Sequence, residues 1–185
     1  SEFWEMDTVL SARGCLKCIL TFVDPEISLF YARLLPCHEP CYVERAFDTL
    51  EKTLGGVYEF QSILPVILTD RGTEFGKPDN LETNKEGIIR TSIYYCDPMR
   101  SGQKGCLEEA HTLLRMILPK GTLFTDLTQW DVRRIVNHMN SYARKNLEGA
   151  TPYQLALKKY GPEILEALQI KFIPPDEVTM SPDLL

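Results

Sequence analysis

The sequence predicts a mixed α/β fold, and three observations carry that prediction. The first third holds three β-type runs joined by short turn signals, which pair most simply as an antiparallel meander. From Cys41 onward, helical stripes alternate with short β-runs, so the later strands join the sheet through crossovers and lie parallel. The bulk composition suits a single core: 185 residues, 44% hydrophobic and 25% charged, as in an ordinary globular domain.

The elements follow in order. Residues 3–10, 15–24 and 28–36 are the three opening strands, with Pro25-Glu26 as a turn. A helix over 41–54 presents Val43, Ala46, Phe47, Leu50 and Leu54 on one face, and Gly55-Gly56 stops it. Val66-Ile67-Leu68-Thr69 is the fourth strand, running into Asp70 and the turn signal Arg71-Gly72. Residues 71–90 are polar and lack a stripe. They read as a mobile loop with room for one short helix. The fifth strand is 93–96. A helix from Gly105 to about Leu118 buries Leu107, Ala110, Leu114 and Ile117, spaced by three, four and three. A second long helix spans about 128–145, with Val132, Ile135, Val136, Met139 and Tyr142 inward. Thr151-Pro152 starts a helix that runs to Tyr160, a brief helix covers 162–168, and a Pro-rich tail follows. The expected organisation is a core over 1–160 and an extension over 161–185.

The acids are placed suggestively. Asp70 ends a central strand at the sheet rim, where α/β architectures keep their chemistry. Asp7 faces opposite to Met6 and Thr8 on the first strand. Glu108 lies beside the buried stripe of its helix. The plainer alternative for Asp70 is a turn-forming residue. Glu109 competes with Glu108, but residues adjacent on a helix point about 100° apart, so one of them can face the sheet.

Other features narrow the reading. A net charge of −6 argues against a tight grip on DNA by this chain alone. No run of about 18 apolar residues is present, and the N-terminus lacks a signal-peptide pattern. The abrupt start at Ser1-Glu2-Phe3 reads as an excised domain. Cys15/Cys18 and Cys37/Cys41 imitate a zinc spacing. Residues three apart in a strand point to opposite faces, so reduced thiols are the expectation. Trp4 and Trp130 read as core residues. His38, His111 and His138 are scattered, and a solvated or capping role is expected for His111.

Several phrases together resemble the DDE transposases, whose catalytic core is RNase H-like, and most nearly the insertion-sequence transposases of the IS-thirty group. They are Trp4-Glu5-Met6-Asp7-Thr8-Val9, Thr69-Asp70-Arg71-Gly72-Thr73-Glu74-Phe75, Tyr95-Cys96-Asp97-Pro98 through Lys104-Gly105 to Glu108, Leu113-Leu114-Arg115 with Leu118-Pro119-Lys120-Gly121-Thr122, and Arg144 through Pro152. The likeness covers about 3–160. Arg71, Leu107 and Glu109 stand where the family more often has Asn. The resemblance implies a five-stranded RNase H-like sheet with Asp7, Asp70 and Glu108 as catalytic and metal-binding acids. They would hold two Mg2+ or Mn2+ ions for hydrolytic cleavage at element ends and strand transfer. It also implies DNA as partner (transposon ends and target), a homodimer or larger assembly on DNA, no membrane, and the bacterial cytoplasm. Lys104, Arg115, Lys120, Arg144 and Lys145 are the candidate phosphate contacts. The alternatives are a nuclease on the same fold without strand transfer, and a non-catalytic DNA-binding or zinc module.

Overall fold

In a computed structural model, which describes residues 2–97 and 105–185, the alternating first run becomes the middle strand of the sheet. β1 (Trp4–Leu10) pairs antiparallel with β2 (Cys18–Asp24), and β2 with β3 (Leu29–Leu35). On the other side β1 pairs parallel with β4 (Val66–Thr69), and β4 with β5 (Ser92–Tyr95). The order β3-β2-β1-β4-β5 is the expected mixed sheet. β2 begins at Cys18 rather than Cys15, because residues 15–17 still belong to the irregular connection after β1.

Helices cover both faces. α1 (Pro40–Leu54) ends at Gly55, whose φ of 109° lets its N–H return to the Lys52 carbonyl. A second helix, α2 (Val57–Ile63), then restarts, which the sequence reading did not anticipate. Phe47 of α1 lies between Phe22 of β2 and Phe60 of α2, with ring centroids 5.9 and 5.8 Å away. After β4, a 3-10 turn (Thr73–Phe75) and α3 (Pro78–Glu82) occupy the polar segment. That segment is not a loose loop. The fully buried Arg90 donates to the Leu81 and Asn80 carbonyls, and to Asp48 and Glu51 of α1.

The opposite face carries α4 (Gly105–Ile117) and α5 (Gln129–Ser141). Leu107, Ala110, Leu114 and Ile117 are all buried, as their spacing predicts. α5 starts from a Thr128–Asp131 capping box and stops four residues early, where Tyr142 turns extended. Tyr142 is therefore surface rather than core, and so is Trp130 (65% exposed). α5 also closes an edge of the sheet. Asn140 accepts from the Phe30 N–H and donates to its carbonyl, while Gln129 does the same for Leu34 N–H and the Ala32 carbonyl.

α6 (Pro152–Tyr160) and α7 (Pro162–Ala167) follow. Tyr160 stacks on Trp4 and donates its hydroxyl to the buried Asp24, which also takes the Lys159 ammonium at 2.6 Å. Burial first, and then the hydrogen bond to Asp24 and the charge of that carboxylate, push the Tyr160 phenol well above its usual range. Tyr160→Phe removes a donor from a buried carboxylate and is expected to cost about 1–2 kcal/mol, read as a lowered urea midpoint. The tail crosses α5: the N–H groups of Lys171, Ile173 and Thr179 donate to Asn137, Ser141 and His138.

Candidate active site

The parallel pairing of β1 and β4 brings two of the expected acids side by side. Trp4 faces Ile67 and Glu5 faces Leu68. Continued two steps, that register sets Asp7 opposite Asp70, just past the end of β4. Thr69 supports it by donating from its hydroxyl to the Met6 carbonyl at 3.0 Å. Strands pair about 4.8 Å apart, so the two acids occupy neighbouring positions at the rim. Each accepts a backbone N–H from close by in the chain. The Gly72 N–H donates to Asp70 Oδ1 at 2.9 Å, and the Thr8 N–H to Asp7 Oδ1 at 2.8 Å.

Glu108 arrives from the helix layer. It is exposed in the first turn of α4 and lines a cleft of about 600 Å³ together with Thr8, His111, Thr112, Arg115 and Lys120. Glu109 looks elsewhere, onto a small recess it shares with Cys106 and Arg144. Among the described residues, no three His, Cys, Asp or Glu side chains are gathered closely enough to hold a metal ion. Glu108 shares its cleft with Thr8, the chain neighbour of Asp7.

The expected cations divide. Arg115 and Lys120 both line the cleft. Arg115 donates to the Leu118 and Leu10 carbonyls, and burial lowers its pKa. Lys145 is exposed on a separate turn, Lys145–Leu147. Lys104 falls outside the described residues. Arg144 is 5% exposed and donates to the Met139 carbonyl, bracing the end of α5.

Other residues at the site escaped the sequence reading. Glu74 is buried, and its Oε1 receives the Thr8 hydroxyl at 2.7 Å and His38 Nε2 at 2.8 Å. A Cβ at position 72 would collide with that carboxylate, so any other residue there has to displace the Glu74 side chain. His111 is not merely solvated. Its Nε2 lies 2.8 Å from the Thr21 hydroxyl, and Thr21 is the β2 partner of Asp7. Glu5, also buried, accepts the Leu107 N–H at 2.7 Å. The thiols stay apart from this chemistry. None of the six cysteines forms a disulfide, and burial, with a smaller push from Glu74, raises Cys18 to about 12.

The order β3-β2-β1-β4-β5, with helices on both faces, defines a fold class: the RNase H-like fold of integrase catalytic cores. Comparison bears this out. The catalytic core domain of BIV integrase superposes with a TM-score of 0.59 at 18% identity, covering 86% of this chain and 95% of that one. The HTLV-2 integrase catalytic core domain, solved in complex with magnesium, gives 0.57 at 17% identity over 83% and 94%. In sequence, the chain is 27% identical to the transposase of insertion sequence element IS4351 from Bacteroides fragilis, over 80% of this chain and 42% of that protein. It is 32% identical to the IS30A transposase of Escherichia coli K12 over 46% of this chain and 21% of that protein. No family model matches. The chain is thus similar in sequence to insertion-sequence transposases, that of IS30A among them, and has the RNase H-like fold of integrase cores. It spans less than half the length of these relatives. No helix among the described residues is long and apolar enough to cross a membrane.

Proposed function

We propose that this chain is the catalytic core of a bacterial insertion-sequence transposase, cutting DNA at element ends and transferring the freed strand. The observation that carries the reading is the juxtaposition of Asp7 and Asp70 on neighbouring parallel strands, with Glu108 on the wall of the adjacent cleft. The donors are all carboxylate oxygens, the set that hard divalent ions such as Mg2+ and Mn2+ take. Asp7, Asp70 and Glu108 would hold the metal. When bound, a pair of such ions activates the attacking oxygen and stabilises the leaving one at phosphorus. Arg115 and Lys120 offer positive charge on the same wall, where a DNA backbone would pass. Paired-end assemblies of two or more copies, an extension role for 161–185 and action in the bacterial cytoplasm belong to the same proposal.

Clustered carboxylates repel each other, so ion binding is expected to raise the melting temperature by mass action. Millimolar manganese should stabilise the chain, and Asp70→Asn should abolish that response. A response to zinc with none to manganese would sink the reading. A nuclease on the same fold would release cut element ends without ever joining them to target DNA, so product analysis separates the two.

A further inference from the structure

Glu5 is a carboxylate buried to 3% exposure in the middle strand of the sheet, and no step of the proposed chemistry uses it. Burying a carboxylate is costly unless strong donors meet it. Its Oε2 receives the Leu107 N–H, a contact spanning 102 residues of chain. Leu107 lies in the first turn of α4, where backbone N–H groups have no partner inside the helix and the helix dipole favours negative charge. Glu5 therefore ties down the start of α4 from the sheet.

The position of this tie is informative. Glu5 stands two residues before Asp7, on the same face of β1. Leu107 immediately precedes Glu108. One turn further along α4, His111 meets the Thr21 hydroxyl at 2.8 Å, and that hydroxyl is also 3.1 Å from the Asp7 carbonyl. Thr21 is itself paired with Asp7 across β1 and β2. α4 is thus attached to the sheet at two points, one on each side of Glu108: to β1 through Glu5, and to β2 through Thr21, the partner of Asp7.

We propose that Glu5, seconded by the Thr21–His111 contact, is a positioning residue that sets Glu108 against Asp7. This rests on the metal-site reading above. Glu5 acts through the backbone of α4 and contacts neither DNA nor metal. The requirement is a hydrogen-bond acceptor at position 5, which Gln retains and Ala lacks.

The experiment compares the 185-residue chain with Glu5→Gln, Glu5→Ala, Thr21→Val and Asp70→Asn. Two readouts are taken: the manganese concentration giving half of the melting-temperature shift, and amide hydrogen exchange in the first turn of α4 without metal. Glu5→Ala is expected to raise the manganese midpoint roughly tenfold, the usual scale for residues that orient metal ligands, and to speed exchange at Leu107. Glu5→Gln should keep both near wild type, and Thr21→Val should raise the midpoint with the start of α4 still protected. A folded Glu5→Ala with an unchanged midpoint overturns the proposal, as does Glu5→Gln failing as badly as Ala. If Glu5→Ala does not fold, an unchanged midpoint in Thr21→Val overturns it. A manganese response that survives Asp70→Asn strikes the metal site itself. In that case faster exchange in Glu5→Ala would mark a capping contact with no positioning role.

Discussion

Asp70→Asn is expected to lower manganese-dependent cleavage of DNA by about three decades or more, with the fold intact. The fold should survive because the Asn side-chain oxygen can still accept the Gly72 N–H now held by Asp70 Oδ1. Only the negative charge is lost. Charge stabilisation by a bound metal is worth several kcal/mol, and each decade of rate corresponds to about 1.36 kcal/mol. Plasmid nicking followed over time, beside a circular dichroism spectrum, makes the measurement. A variant retaining more than a tenth of the wild-type rate would remove Asp70 from the catalytic set. Asp7→Asn should behave alike, since the β1–β4 register makes the two acids neighbours.

Arg90→Met is the second large effect expected, and it falls on stability. The guanidinium is 1% exposed, bridges Asp48 at 2.9 Å and Glu51 at 3.2 Å, and lies over the rings of Phe47 and Phe60. Breaking a buried pair by removing one partner costs about 3–5 kcal/mol. Both acids retain some solvent access, with side chains 22% and 15% exposed, so screening favours the lower end, about 3 kcal/mol. For a chain of this size that corresponds to a melting temperature lower by roughly 6–12 °C.

The loss should depend on pH. Burial alone would raise the Asp48 carboxyl, but hydrogen bonds from Arg90 and Lys85 outweigh it and leave the net shift downward. A depressed carboxylate stabilises the fold above its unfolded pKa of about 3.9, and that contribution fades as pH falls through the folded value. Urea melts at pH 7 and pH 3 should therefore show a larger gap between wild type and Arg90→Met at pH 7. An equal gap at both would assign Arg90 to packing alone.

Much of this architecture could be read from local pattern. Val66 to Thr69 announce a strand by β-formers running into a turn, and Leu107, Ala110, Leu114 and Ile117 announce the buried face of α4. What escaped depends on partners distant in sequence. Glu5 and Leu107 meet only after the sheet and helix layers assemble. Arg90 sits in a polar stretch, and polarity suggests solvent until two acids on α1 are known to face it. Gly55-Gly56 marks the end of α1 correctly, yet both glycines have positive φ, 109° and 139°, so they also redirect the chain into α2. Tyr142 reads as core on an uninterrupted stripe, and only the early end of α5 turns it outward. Asp7, Asp70 and Glu108 could be proposed from sequence. The shell around them, Thr8, Thr21, His38, Glu74 and His111, is a property of the packed layers.

The side-chain amides of Gln129 and Asn140 bear on how copies of this chain can meet. An open sheet edge is a template onto which another strand can grow. Along β3 that template is already read by α5, residue by residue, at Phe30, Ala32 and Leu34. Two copies cannot fuse their sheets through β3 while α5 stays docked. The same arrangement locates a hazard. If heat frays α5 before the sheet melts, an intact strand edge is unmasked, and clumping of partly native molecules would begin there.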